Sequence, residues 1–166
     1  MKFTGIYNGK PIELELTEEQ VESLKPKRKN TGWERVEEGE TYWICDGKSI
    51  NVVGEKNLHY YDLLSHANYF SDEALAKNII RAQTLQRKLW RRSAELCKKV
   101  DWRNSEIPKY SICYDADENE LYVTYVWVTW DFGQVYFDTK EHAEQVIDEF
   151  HDELIWYFTE FKSRMD

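Results

Sequence analysis

Two stretches of this chain repeat their apolar residues with the period of an α-helix while carrying opposite charge on the other face, and this pattern constrains the fold most. Between Asp72 and Val100, the residues Leu75, Ile79, Ala82, Leu89, Trp90, Leu96, Cys97 and Val100 share one arc at about 100° per residue. Lys77, Arg81, Arg87, Lys88, Arg91, Arg92, Lys98 and Lys99 fall opposite, against only Asp72, Glu73 and Glu95. The spacing predicts a helix of about 28 residues, roughly 42 Å long, with Ser71 as its N-cap. Between Asp138 and Phe161 a second arc gathers Ala143, Ile147, Phe150, Leu154, Tyr157, Phe158 and Phe161. Its polar side carries Asp138, Glu141, Glu144, Asp148, Glu149, Asp152, Glu153 and Glu160 with Lys140 as the lone cation. Ile155 and Trp156 project on that polar side, where Trp156 serves either as an interface anchor or as packing against a neighbouring helix or flap.

Each helix must bury its apolar stripe on another element, and the remaining segments supply hairpins. Phe3 to Tyr7 and Ile12 to Leu16 flank Asn8-Gly9, a pair suited to a type I′ turn. Thr17-Glu18-Glu19-Gln20 has capping-box spacing for a short helix ending near Leu24. Thr41 to Cys45 and Ser49 to Val53 bracket a second turn at Asp46-Gly47-Lys48. Tyr110 to Tyr114 and Leu121 to Trp130 form a third hairpin around the polar turn 115–119. The arm 121–130, rich in β-branched and aromatic residues on both faces, is expected as a central, doubly covered strand. Asp131-Phe132-Gly133 then turns the chain into a short strand ending at Phe137.

A faint repeat links the halves. Tyr69-Phe70 and Tyr136-Phe137 each precede a helix, and Ala76, Ile79 and Ile80 match Ala143, Val146 and Ile147 at a constant offset of 67 residues. The expected fold is therefore α+β: antiparallel hairpins forming a sheet packed by two long amphipathic helices, with an internal ββα duplication as its suggested origin. The expected organisation is a flap over 1–24, a linker over 25–32 marked by Pro26 and dense positive charge, and a main domain over 33–166.

No stretch carries a strong catalytic signature. Asp131-Phe132-Gly133 matches a kinase metal-binding triplet, but the chain has no Gly-rich loop and no His-Arg-Asp, so it reads as a turn. Gly47-Lys48-Ser49 resembles the end of a phosphate loop, yet Tyr42 stands where the first Gly is required. Asp115-x-Asp117-x-Asn119 opens like a calcium loop, but Glu120 and Val126 replace the essential Gly and Glu, which leaves a solvated acidic turn. His59, His66, His142 and His151 include no pair at metal-ligand spacing, and Cys45, Cys97 and Cys113 form no Cys-x-x-Cys. Cys45 with His59 and Asp62 lacks a local nucleophile signature. No metal, no cofactor and no enzymatic activity are expected.

Three cysteines, the lack of an apolar leader after Met1, and no run of roughly 18 apolar residues point to a reducing cytosol and away from membranes. A formal charge of −9 excludes a general nucleic-acid coat, since phosphate binding needs positive charge. The exception is the basic helix, whose Lys77, Arg81, Lys88, Arg92 and Lys99 could track a phosphate backbone or meet an acidic protein surface. Conversely, Glu144, Asp148, Asp152, Trp156 and the turn residues Asp115, Asp117 and Glu118 form an acidic surface able to imitate that backbone. Side by side on one sheet, the two helices would neutralise each other along a shared edge; the same contact between two copies would make a homodimer.

The segments Gly32-Trp33-Glu34-Arg35-Val36, Gly39-Glu40-x-Tyr42-Trp43, Asn68-Tyr69-Phe70, Gln83 to Trp90, and Asp131-Phe132-Gly133-Gln134-Val135-Tyr136-Phe137 resemble accessory proteins of Firmicute phages and prophages. That resemblance implies an anti-defence role in the host cytoplasm, such as inhibition of a CRISPR nuclease by the acidic surface. It transfers no catalytic residue. The other expectations from the residues are a nucleic-acid-binding protein using the basic helix, and an enzyme or nucleotide-signal sponge with its site in a Tyr- and Trp-rich cleft between the halves.

Overall fold

A computed structural model describes residues 2–7, 10–15, 17, 19–20, 31–34, 36–37, 39–45, 50–54, 66–98 and 100–161. The chain divides into two compact units, Met1–Glu34 and Arg35–Asp166. In the first, strands β1 (Lys2–Tyr7) and β2 (Lys10–Glu15) pair antiparallel with Tyr7 opposite Lys10, the tight register that Asn8-Gly9 predicts. The Thr17 amide donates to Gln20 Oε1 at 3.0 Å and the Gln20 amide donates to Thr17 Oγ1 at 3.2 Å, the reciprocal bonds of a capping box. The rest of that short helix, the turn at 8–9 and most of the expected linker lie outside the described residues.

The second unit is α+β and is built twice. Strand β3 (Thr41–Cys45) pairs antiparallel with β4 (Ile50–Gly54), and its Trp43 bridges to Phe70 on the other side. Strand β5 (Lys109–Asp115) pairs antiparallel with β6 (Glu120–Val126) and, on its other side, with β7 (Tyr136–Phe137), so that the sheet order is β6-β5-β7. In both, the first strand of the hairpin is the middle one. Helix α1 (Glu73–Leu96) follows the first set and helix α2 (Lys140–Trp156) the second.

The offset of 67 residues survives at atomic detail. Trp43 bridges Phe70, and Tyr110 pairs with Phe137. Asp72 caps α1 by accepting from the Leu75 amide at 2.6 Å, and Thr139 caps α2 by accepting from the His142 amide at 3.2 Å. Ala76 and Ala143 are both fully buried one turn into their helices. The hydroxyls of Tyr69 and Tyr136 each accept a backbone N–H, from Val36 at 3.0 Å and Asp131 at 2.8 Å. The repeat therefore specifies a strand–cap–helix junction, and sequence similarity fades beyond it because only the junction needs the same residues.

The core lies between α1, α2 and the β6-β5-β7 sheet, where Leu85 and Leu89 meet Ile112, Leu121, Val135, Phe137, Ala143, Val146 and Leu154. Several expectations need correction. The N-cap of α1 is Asp72, not Ser71, and the helix ends at Leu96, not Val100: Cys97 is extended and Asp138 Oδ2 accepts from the Lys98 amide at 2.9 Å, which ties the departing chain to the start of α2. Trp90, assigned to the apolar arc, is 54% exposed. Strand β6 stops at Val126 and is an edge strand, because β7 takes the other side of β5. Finally, Trp156 is 6% exposed: of its two expected roles, packing against a neighbouring helix is the one observed, and the outward anchor is not. Phe150 leaves helical geometry (φ −121°, ψ 24°) and a π-helical turn spans Tyr157–Phe161, so a constant 100° step no longer places Trp156 beyond the break.

Candidate partner-binding surface and cavity

The charged stripes meet along the α1–α2 edge. Lys88 Nζ donates to both carboxylate oxygens of Glu153 at 2.7 and 3.0 Å. Arg92 reaches Glu149 through Nε and Glu95 through Nη1, both at 2.7 Å, and these bonds push its guanidinium pKa up while Glu95 is held down by Arg91 and Arg92. Lys77 pairs with Glu73 at 2.7 Å on its own helix. The Arg81 guanidinium lies 3.7 Å from the centroid of the Trp156 ring, which packs with Ala82 and Phe161. Trp156 therefore joins the helices and is withdrawn from the outward surface. Of the five cations expected to track phosphate, Lys77, Arg81, Lys88 and Arg92 are engaged within the molecule, and Lys99 lies outside the described residues.

The anionic face divides differently. Glu149 and Glu153 turn to α1, whereas Glu144, Asp148 and Asp152, spaced four residues apart along α2, are all exposed. Glu144 pairs with its neighbour Lys140 at 2.9 Å, and Asp152 lies 3.1 Å from the His151 ring. The β5–β6 turn adds Asp117 and Glu118, also exposed. Asp115 shapes that turn, its Oδ1 accepting from the amides of Asp117 at 2.9 Å and Glu118 at 3.1 Å. Asn119 closes it at φ +56°, a conformation Asn tolerates better than most residues. Tyr114 stacks on Phe158 with centroids 5.6 Å apart, which sets the acidic turn beside the C-terminal end of the acidic helix.

Sequence reasoning missed an aromatic edge. Tyr122, Tyr125, Trp127, Val128 and Trp130 are 45–63% exposed along β6 and the segment after it, and Phe132 is wholly exposed. The buried Lys109 fixes this segment: its Nζ donates to the carbonyls of Asn104 at 2.5 Å and Trp127 at 2.7 Å. An apolar row on an open strand edge is characteristic of contact surfaces. The signal was present in the aromatic run itself, but burial on two faces explains such a run equally well without knowledge of strand order.

A cavity of about 530 Å³ opens between α1, the 132–135 segment and the π-helical turn. Leu85, Leu89, Trp90, Phe132, Phe137, Tyr157 and Phe161 are among its lining residues, with the amides of Gln83, Gln86 and Gln134 at its polar points. Gln86 Nε2 donates to the Gly133 carbonyl at 2.9 Å and Gln134 Nε2 to the Ile112 carbonyl at 3.0 Å, so these amides brace the walls. No lysine, arginine or histidine lines it among the described residues.

None of the three cysteines, all among the described residues, is in a disulfide. Cys97 converges with Asp138 and His142, their ligand atoms lying within 4.8 Å of one another, a grouping that local spacing concealed because Cys97 comes from the end of α1. Burial pushes the Cys97 thiol pKa up. Burial also acts to raise Asp138, but hydrogen bonds from His142, the Lys98 amide and Cys97 outweigh it and hold the carboxyl below its ordinary value. His59, Asp62 and the Gly47-Lys48-Ser49 turn lie outside the described residues, whereas Asp131-Phe132-Gly133 is a turn with Gly133 at φ +78°. No helix among the described residues is long and apolar enough to cross a membrane. No protein-family model, curated protein or solved structure matches this chain.

Proposed function

We propose that this chain acts by binding another protein, without catalysis, and that its acidic surface is the contact. The observation that carries this reading is the exposed carboxylate row: Glu144, Asp148 and Asp152 lie on the exposed side of α2 beside the acidic turn, while Glu149 and Glu153 are taken up by Arg92 and Lys88 of α1. A row of carboxylates of this kind complements a basic groove built for nucleic acid and favours fast, salt-sensitive association. In the phage setting that the sequence resembles, the partner is a host defence protein in the host cytoplasm, with a CRISPR nuclease as the first candidate. The test is a nuclease-inhibition assay with binding rates measured across ionic strength. Asp148→Lys with Asp152→Lys should slow association and flatten its salt dependence; unchanged rates exclude this face, and lack of inhibition of any host defence nuclease removes the reading.

A second reading rests on the cavity. Its aromatic and aliphatic walls with three carboxamides fit an apolar or aromatic small molecule better than a nucleotide, whose phosphates would find no cation there. Thermal-shift screening separates the two classes, because a ligand at 100 times its Kd stabilises the folded state by about 2.7 kcal/mol. A flat response to both classes eliminates it.

A further inference from the structure

We propose that Cys97, Asp138 and His142 form a binding site for a divalent transition metal, with zinc the best match to the ligand set. The site joins the two halves of the second unit: Cys97 follows the last residue of α1, and Asp138 and His142 flank the first turn of α2. One sulfur, one carboxylate oxygen and one ring nitrogen lie within 4.8 Å of one another, and all three residues are partly buried. A tetrahedral zinc ion with bonds of about 2.0–2.3 Å needs its ligands roughly 3.3–3.8 Å apart, so side-chain rotations of about an ångström suffice. Thiolate, imidazole and carboxylate together suit zinc or cobalt and disfavour calcium and magnesium, which take oxygen ligands. Three protein ligands leave a fourth position for water.

The internal repeat supplies the independent argument. At the offset of 67 residues, Asp138 and His142 correspond to Ser71 and Leu75. The first copy nonetheless builds the same cap, with the Leu75 amide donating to Asp72 as the His142 amide donates to Thr139. The cap therefore does not require an imidazole at 142, whereas Asp138 also holds the Lys98 amide at the end of α1. An imidazole opposite Cys97, its Nδ1 2.7 Å from Asp138 Oδ1, is what a ligand shared by all three would account for.

The full chain titrated with cobalt(II) alone should develop a thiolate-to-metal absorption band that saturates at one ion per chain. The band should persist in Cys45→Ser and Cys113→Ser and vanish in Cys97→Ser. Zinc should displace the cobalt, and His142→Gln should weaken zinc binding at least tenfold. In unmutated protein, one equivalent of zinc should slow alkylation of Cys97 read by mass spectrometry, a measurement that stands even if a variant fails to fold. Absence of the band, its loss in Cys113→Ser instead of Cys97→Ser, or unchanged alkylation of Cys97 overturns the proposal. None of these outcomes bears on the acidic surface.

Discussion

Truncating Phe70 and Phe137 tests whether the two halves of the second unit are equivalent in energy as well as in geometry. Both rings are essentially fully buried, both sit two residues before a helix N-cap, and each belongs to a residue that pairs with the middle strand of its hairpin. An aromatic side chain buries roughly 150–250 Å², or about 4–6 kcal/mol at about 25 cal/mol per Å². Alanine retains a fraction of that area, and incomplete closure of the vacated space adds to the loss, so each Phe→Ala change should cost about 3–5 kcal/mol. Phe137 also borders the cavity, so its truncation widens an existing void, and its cost should reach at least that of Phe70→Ala. For a chain of this size the melting temperature should fall by about 2–4 °C per kcal/mol, hence roughly 6–20 °C for either variant. Urea unfolding followed by far-ultraviolet circular dichroism measures the difference as a shift in midpoint at constant slope. A cost below about 1.5 kcal/mol at either position would refute the reasoning, because a fully buried ring in a close-packed junction cannot be removed so cheaply.

Trp156→Ala should destabilise the protein by about 3–5 kcal/mol, since the ring packs between Arg81, Ala82 and Phe161; a variant with unchanged unfolding midpoint that loses only partner binding would restore its role as an interface anchor. Glu34 accepts hydrogen bonds from the Thr31 amide at 2.6 Å, the Thr31 hydroxyl at 2.7 Å and the Gly32 amide at 2.8 Å, which lower its pKa from 4.5 to about 2. Because the folded value is depressed, the turn is held fully above pH 4.5 and loosens only as pH falls towards 2; a carboxyl resonance of Glu34 that titrates near 4.5 by NMR would contradict the geometry.

Elements whose signals are local were legible in the chain. The hairpin register at Tyr7 and Lys10, the capping box at Thr17 and Gln20, and both helices emerge from patterns within a few residues, because hydrogen bonds and side-chain periodicity at that range are dictated by neighbours. The offset of 67 was visible for the same reason: it copies one junction. One misplacement arose where the chain departs from regular geometry. The break at Phe150 carries no Pro or Gly to announce it, so Trp156 moved from the expected polar face into the helix interface. Edge position in a sheet is likewise not written in a strand; β6 reads as central by composition and is an edge because β7 pairs on the far side of β5.

The sequence by itself determined the α+β class, the two amphipathic helices, the total charge of −9 and the residues that carry it, since these depend on composition and on periods of a few residues. Only the tertiary structure decided how that charge is shared. It set Lys88 and Arg92 against Glu153 and Glu149, left Asp148 and Asp152 on the exposed side of α2, and brought Cys97 to Asp138 and His142 from 41 and 45 residues away. Helix packing fixes which faces meet, and electrostatics between distant residues follows from that contact and from nothing shorter in range.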